Sequence, residues 1–211
     1  MSFQREIVEG AAAGVGIAAR AEDLSTIHSP GCAAAIWRRQ LAPELQSFLG
    51  ELDPAHWPQA RVILRPQDMH RALTGLCSNA GTPEAKECAM LIDDIATLSG
   101  LFAELMSARY LRLRLERVTT NACRKFHIDA VTARLICTYR GTGTQYGIST
   151  DGADPARVFT VPAGMPMILR GTLWPGDPPS GLLHRSPPIE GTNEVRFVLV
   201  LDPVIDPEFE I

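Results

Sequence analysis

The spacing of apolar residues changes its period at Tyr110, and that change constrains the fold more than any other feature of the chain. Upstream, Cys88, Leu91, Ile92, Ile95, Leu98, Phe102 and Leu105 recur at steps of three and four. That spacing predicts a helix laying one stripe on a core. Downstream, Leu111-Arg-Leu-Arg-Leu-Glu-Arg-Val118 alternates strictly, so one strand face is buried and the other wet. A helical period followed by a two-residue period predicts an α region and then a β region.

Short strand candidates follow at Lys125–Asp129, Arg134–Tyr139, Gln145–Ile148, Arg157–Val161, Pro166–Arg170, Leu182–His184 and Val195–Leu201. Turn formers such as Gly141-Thr-Gly143, Asp151-Gly152 and Trp174-Pro-Gly176 divide them. Many short strands so punctuated predict a sandwich or small barrel. The tail from Asp202-Pro203 reads as loop. Upstream of the long helix, Ala33–Arg38 and Arg61–Arg65 read as strands, and prolines 43, 66 and 83 open helices. Residues 1–30 mix alanine and glycine and give no clear period.

A chain of 211 residues is long enough for one domain with a sizeable core. Its net charge of −4 gives no electrostatic reason to expect nucleic acid or an anionic membrane as partner. Five cysteines at this length are no disulfide framework. With no basic, apolar leader at the N-terminus, the expected compartment is the cytoplasm. Oligomeric state is not legible.

The segment from Cys123 to Tyr139 concentrates metal-binding side chains. His127 and Asp129 are two apart, so an extended backbone turns both to one side. The C-terminal half holds one further histidine, His184, and Arg196 follows it in a later strand. Two imidazoles and one carboxylate on one face of iron(II) leave positions open for substrate and oxygen. A buried arginine then holds the far carboxylate of 2-oxoglutarate through paired hydrogen bonds. Arg196 is the first candidate for that clamp, with Arg134 or Tyr139 in support. Arg134 reads equally well as a strand-edge charge. Cys123 precedes His127 by four residues, and a Cys123, His127, Asp129, His184 set would instead favour zinc. Cys32, Cys77, Cys88 and Cys137 read as packing residues. Gly141-x-Gly143 does not open a helix and so reads as a hairpin turn, not a phosphate loop.

Three motifs carry a resemblance. Cys123-Arg-Lys-Phe-His-x-Asp129, Arg134-Leu-Ile-Cys-Thr-Tyr-Arg-Gly-x-Gly-Thr144 and His184-Arg-Ser-Pro-Pro188 resemble a bacterial family of unassigned function, domain-of-unknown-function family 1826. The likeness is densest from Leu111 to Asp202 and looser in Ala35-Ile-Trp-Arg-Arg39. It implies no activity, although placement of such families near zinc-homeostasis genes implies a role under metal limitation. The four-residue pattern His127-x-Asp129, His184, Arg196 is similar to iron(II)/2-oxoglutarate oxygenases.

The expected fold is α+β: a mainly helical N-terminal region, residues 1–109, packed on a C-terminal double-stranded β-helix, or jelly roll, residues 110–211. The expected function is an iron(II)/2-oxoglutarate oxygenase hydroxylating an unknown small-molecule or peptide substrate. The alternative is a non-catalytic zinc-binding accessory protein.

Overall fold

The computed structural model describes residues 10–121, 123–149 and 151–208. The N-terminal half runs β1 (Gly14–Ala18), β2 (Cys32–Trp37), α1 (Pro43–Glu51), β3 (Ala60–Leu64), α2 (Met69–Asn79) and α3 (Lys86–Leu105). Pro43 sits in the first turn of α1, where its missing N–H costs nothing, and Leu45 and Leu49 point into the core. The expected stripe of α3 is buried from Cys88 to Phe102. The helix starts at Lys86, later than its Thr82-Pro83 signal. Thr82 is tied elsewhere: its N–H donates to Cys77 O and its hydroxyl to His56 O at 2.7 Å. Those bonds hold the start of the 82–85 connector as the chain enters α3.

The C-terminal half is strands throughout: β4 (Tyr110–Val118), β5 (Ala133–Arg140), β6 (Gln145–Ile148), β7 (Phe159–Thr160), β8 (Met167–Arg170), β9 (Leu182–Arg185) and β10 (Arg196–Val204). They form a seven-stranded sheet, β1-β2-β8-β5-β10-β4-β3, and a three-stranded sheet, β7-β6-β9. A single antiparallel bridge between His127 and His184 adds one more rung to β9. The protein is thus a mixed α/β fold with one large sheet. None of its described helices is long and apolar enough to cross a membrane.

Alternation fixes which side of the large sheet each residue faces. Leu111, Leu113 and Leu115 of β4, Leu135, Cys137 and Tyr139 of β5, and Phe197, Leu199 and Leu201 of β10 join one core with the helices. Each fully buried leucine there contributes about 1.5–3 kcal/mol before ordering costs. Ile136, Met167, Leu169, Val198 and Val200 face the other way, into a second core with Leu182 of the small sheet.

Three expectations need correction. The first 109 residues are not simply a helical layer. β1 and β2 extend the large sheet beside β8, and β3 extends it beside β4, so one sheet runs through both halves. The expected strand at Lys125–Asp129 shrinks to the one bridge at His127. The expected loop at Asp202-Pro203 lies inside β10, where Asp202 pairs with Arg112 and Pro203 with Leu111. Proline is tolerated there because pairing of β10 with β5 has already ended at Leu201.

Candidate metal centre

Backbone pairing builds the centre. The His127 N–H donates to His184 O and the His184 N–H to His127 O, both at 3.0 Å. Directly paired residues share a face, and the two rings lie 4.5 Å apart between centroids. Asp129 follows in a loop clamped from below. Thr172 N–H donates to Asp129 O, Leu173 N–H to Val131 O, and Gly171 N–H to Thr132 O. Gly171 is close enough to this loop that a Cβ would strike the carbonyl oxygens of Val131 and Asp129.

His127, Asp129 and His184 each aim one ligand atom at a common point, with these atoms all within 4.8 Å of one another. Asp129 Oδ1 is 3.6 Å from His127 Nε2, and Asp129 Oδ2 is 3.0 Å from His184 Nε2. Ligands about 2.1 Å from a first-row cation and at right angles stand about 3.0 Å apart. His127 Nδ1 lies 2.8 Å from Lys125 O. Donating there leaves Nε2 with its lone pair facing the centre. Asp129 Oδ2 is buried and accepts no hydrogen bond of adequate geometry, despite its nearness to His184. A buried carboxylate oxygen left so is costly unless a cation meets it. Two nitrogens, one oxygen and an orphaned carboxylate lone pair fit a divalent metal.

The electrostatics are opposed and revealing. Burial resists ionisation of Asp129, yet the adjacent imidazoles and the Arg134 guanidinium outweigh it and hold the carboxyl well below its usual range. The nearby Asp129 carboxylate raises the His127 pKa. Burial lowers that of His184, which is 5% exposed, so its neutral, metal-binding form is favoured.

Arg134, on β5, pairs closely with Asp129 Oδ1. Its Nε and NH2 also donate to the two oxygens of Asp202 at 2.6 and 2.9 Å. Arg114 NH2 reaches Asp202 as well, at 3.3 Å. This chain of charges ties the one acidic ligand to β5, β10 and β4. Asp202, 2% exposed, escapes a sequence reading because Pro203 makes that stretch read as a tail, and Arg114 because it reads as one more charge on the wet face of an alternating strand. With Oδ1 occupied by Arg134, Asp129 is set to offer a single oxygen.

Arg196 is 1% exposed, at the start of β10. Its Nε donates to Thr142 O at 2.6 Å and its NH2 to Thr138 Oγ1 at 3.3 Å. Burial brings its pKa down to about 10. Thr138 also lines a tight gap, too small for a water molecule, with Ile136, Thr144, Val161, Met165 and Met167. Arg134, Ile136 and Thr138 share one face of β5, which runs from beside Asp129 towards Arg196.

Two candidates fall outside. Tyr139 is an odd number of residues from Arg134 and faces the helices, where its hydroxyl donates to Asp94 Oδ2 at 2.5 Å. It cannot join Arg196 across the sheet. Cys123 is exposed and is not among the three converging residues. Its carbonyl, not its sulfur, is engaged, by the Ser186 N–H. His28 and His56 bond backbone carbonyls and His70 pairs with Asp93, all away from this centre.

The family model described as Protein of unknown function (DUF1826) matches residues 18–202. The chain belongs to this family. No curated protein matches this DUF1826 member. Among solved structures it is similar to a dioxygenase for auxin oxidation in rice, with TM-score 0.48, 10% identity and coverage of 92% of this chain and 84% of that one. It is similar to a putative oxygenase from Shewanella oneidensis, with TM-score 0.46, 15% identity and coverage of 92% and 91%. A 2-oxoglutarate complex of the auxin dioxygenase from Arabidopsis thaliana gives TM-score 0.45, 12% identity and coverage of 82% and 76%.

Proposed function

We propose that the protein is an iron(II)- and 2-oxoglutarate-dependent oxygenase that hydroxylates an as yet unidentified substrate. The observation that carries this reading is the convergence of His127, Asp129 and His184 with an orphaned Asp129 oxygen at their centre. From β4 onward, strands alternate between the two sheets except at the consecutive pair β6 and β7: β4, β5, β8 and β10 lie in the large one, the His127 rung, β6, β7 and β9 in the small one. That winding is the pattern of a double-stranded β-helix, or jelly roll, with the metal ligands near its mouth.

His127, Asp129 and His184 would hold iron(II), which with 2-oxoglutarate supplies oxygen activation, leaving succinate and carbon dioxide. The rest is done by the chain. Arg196 and the Thr138 hydroxyl, already joined by a hydrogen bond, would bind the distal carboxylate of the cosubstrate. Ile136 and Met167 line the tight gap beside Thr138 and leave no room for water there. Arg134 keeps Asp129 oriented and limits it to one oxygen. With Cys123 outside the cluster, the donor set is nitrogen and oxygen alone, which suits the iron reading better than a thiolate zinc site.

The test is conversion of 2-oxoglutarate to succinate by protein reconstituted with iron(II), measured with a panel of candidate substrates. Turnover by wild type and its loss in Asp129→Ala support the proposal. If no 2-oxoglutarate is ever consumed, the oxygenase reading fails.

A further inference from the structure

One face of the large sheet beside the metal centre is unusually basic for a chain with a net charge of −4. In the register of the sheet, Arg61 of β3 pairs with Arg114 of β4, and Arg114 with Val200 of β10. Arg112 pairs with Asp202, to which Arg134 of β5 is bonded. Paired residues share a face, and Val200 marks this one as the face turned towards the small sheet. Arg61, Arg112, Arg114 and Arg134, with Arg196 at the far end, therefore stand on it against two strand carboxylates, Asp202 and Glu116, with Asp129 already engaged by Arg134.

Two of these arginines retain donors. Arg61 is exposed and has no acidic partner among the described residues. Arg114 is bound to Asp202 through NH2 only. Its Nε is buried and has no hydrogen-bond partner, which is costly without a ligand. Strands are spaced about 4.8 Å apart, so from β5 to β3 this face extends roughly 14 Å outward from the metal centre.

We infer that the substrate is an anionic small molecule, carrying a carboxylate or phosphate that Arg61 and Arg114 bind while a carbon some two strand spacings away is presented at His127, Asp129 and His184. This rests on the reading of that centre as the reacting one, but the charge preference can be measured without turnover. Arg114 and Arg61 would act as specificity residues, distinct from Arg196, which lies towards the opposite end of β10.

The experiment is calorimetric titration of the purified protein with octanoate, octyl phosphate and the neutral octanamide, repeated on Arg61→Gln. The exposed Arg61 side chain makes no hydrogen bond or ion pair with the metal ligands or with Asp202, so that variant should keep its fold and metal content. The two anions should bind at least tenfold more tightly than the amide, and Arg61→Gln should weaken them by roughly three- to tenfold, as expected for a lost charged hydrogen bond. Equal affinity for amide and anions, no binding of either anion, or unchanged anion affinity in Arg61→Gln would each overturn the inference. If the preference is found but succinate never forms, the oxygenase reading falls and the anion site stands.

Discussion

Nε2 of His184 lies 3.0 Å from Oδ2 of Asp129, yet no well-formed hydrogen bond joins them. The buried Asp129 oxygen left without an assigned partner is where a cation fits. The behaviour of Asp129 therefore depends on what steadies its other oxygen, and that is Arg134, itself anchored by Asp202.

Asp202→Asn should weaken metal binding by roughly tenfold or more, although the residue touches no ligand directly. The substitution breaks a buried charge network, so stability should also fall by about 3–5 kcal/mol. Metal competition with a chelating indicator and denaturant unfolding measure the two effects separately. Unchanged metal affinity in a folded Asp202→Asn protein would show that Arg134 needs no anchor.

Two glycine substitutions should act with opposite sign. Gly171→Ala drives a methyl group into the carbonyls of Val131 and Asp129, so it should cost about 1–3 kcal/mol and lower metal affinity. Gly100→Ala, in α3 with nothing within 4 Å, should stabilise by about 0.5–1 kcal/mol. Thermal unfolding with and without metal distinguishes them.

Arg196→Gln should raise the KM for 2-oxoglutarate roughly tenfold or more, since a charged pair of hydrogen bonds is lost, while metal affinity stays unchanged. Tyr139→Phe should leave that KM unaltered, because Tyr139 faces Asp94 on the other side of β5. A KM change in Tyr139→Phe equal to that in Arg196→Gln would contradict this division of faces.

Stability should decline in alkali. Burial pushes the Cys137 thiol from 9.0 to about 12, and the Tyr139 hydroxyl well above 10. Between those ordinary values and the raised ones, the unfolded chain loses protons that the folded chain keeps. Unfolding therefore becomes easier as pH rises from about 9, by up to about 1.4 kcal/mol per pH unit for each group. Cys137→Ala removes one of these contributions, so its stability should fall less steeply over pH 9 to 12 in denaturant titrations.

Much of this was readable before any coordinates. The alternation in Leu111–Val118 gives β4 its two faces, and His127-x-Asp129 with His184 gives the three converging ligands. What was hidden has physical reasons. β1 is an edge strand paired in parallel, drawn from an Ala/Gly mixture that carries no period. The ligand pair needed no long strand of its own, since one bridge to β9 and a loop clamped by residues 171–173 suffice. Asp202 was disguised by Pro203. Tyr139, offered in support of Arg196, instead faces the helices, and the odd separation from Arg134 along the strand is the signal in the sequence that turns it there.

The most direct measurement is metal stoichiometry. Metal-free protein dialysed against iron(II) without oxygen, and separately against zinc, is assayed for bound ion in wild type, Asp129→Ala, His184→Ala and Cys123→Ser. A centre made by His127, Asp129 and His184 predicts one iron per chain in wild type and in Cys123→Ser, and loss of it in the other two. Full binding in Asp129→Ala and His184→Ala, or loss in Cys123→Ser, would contradict it.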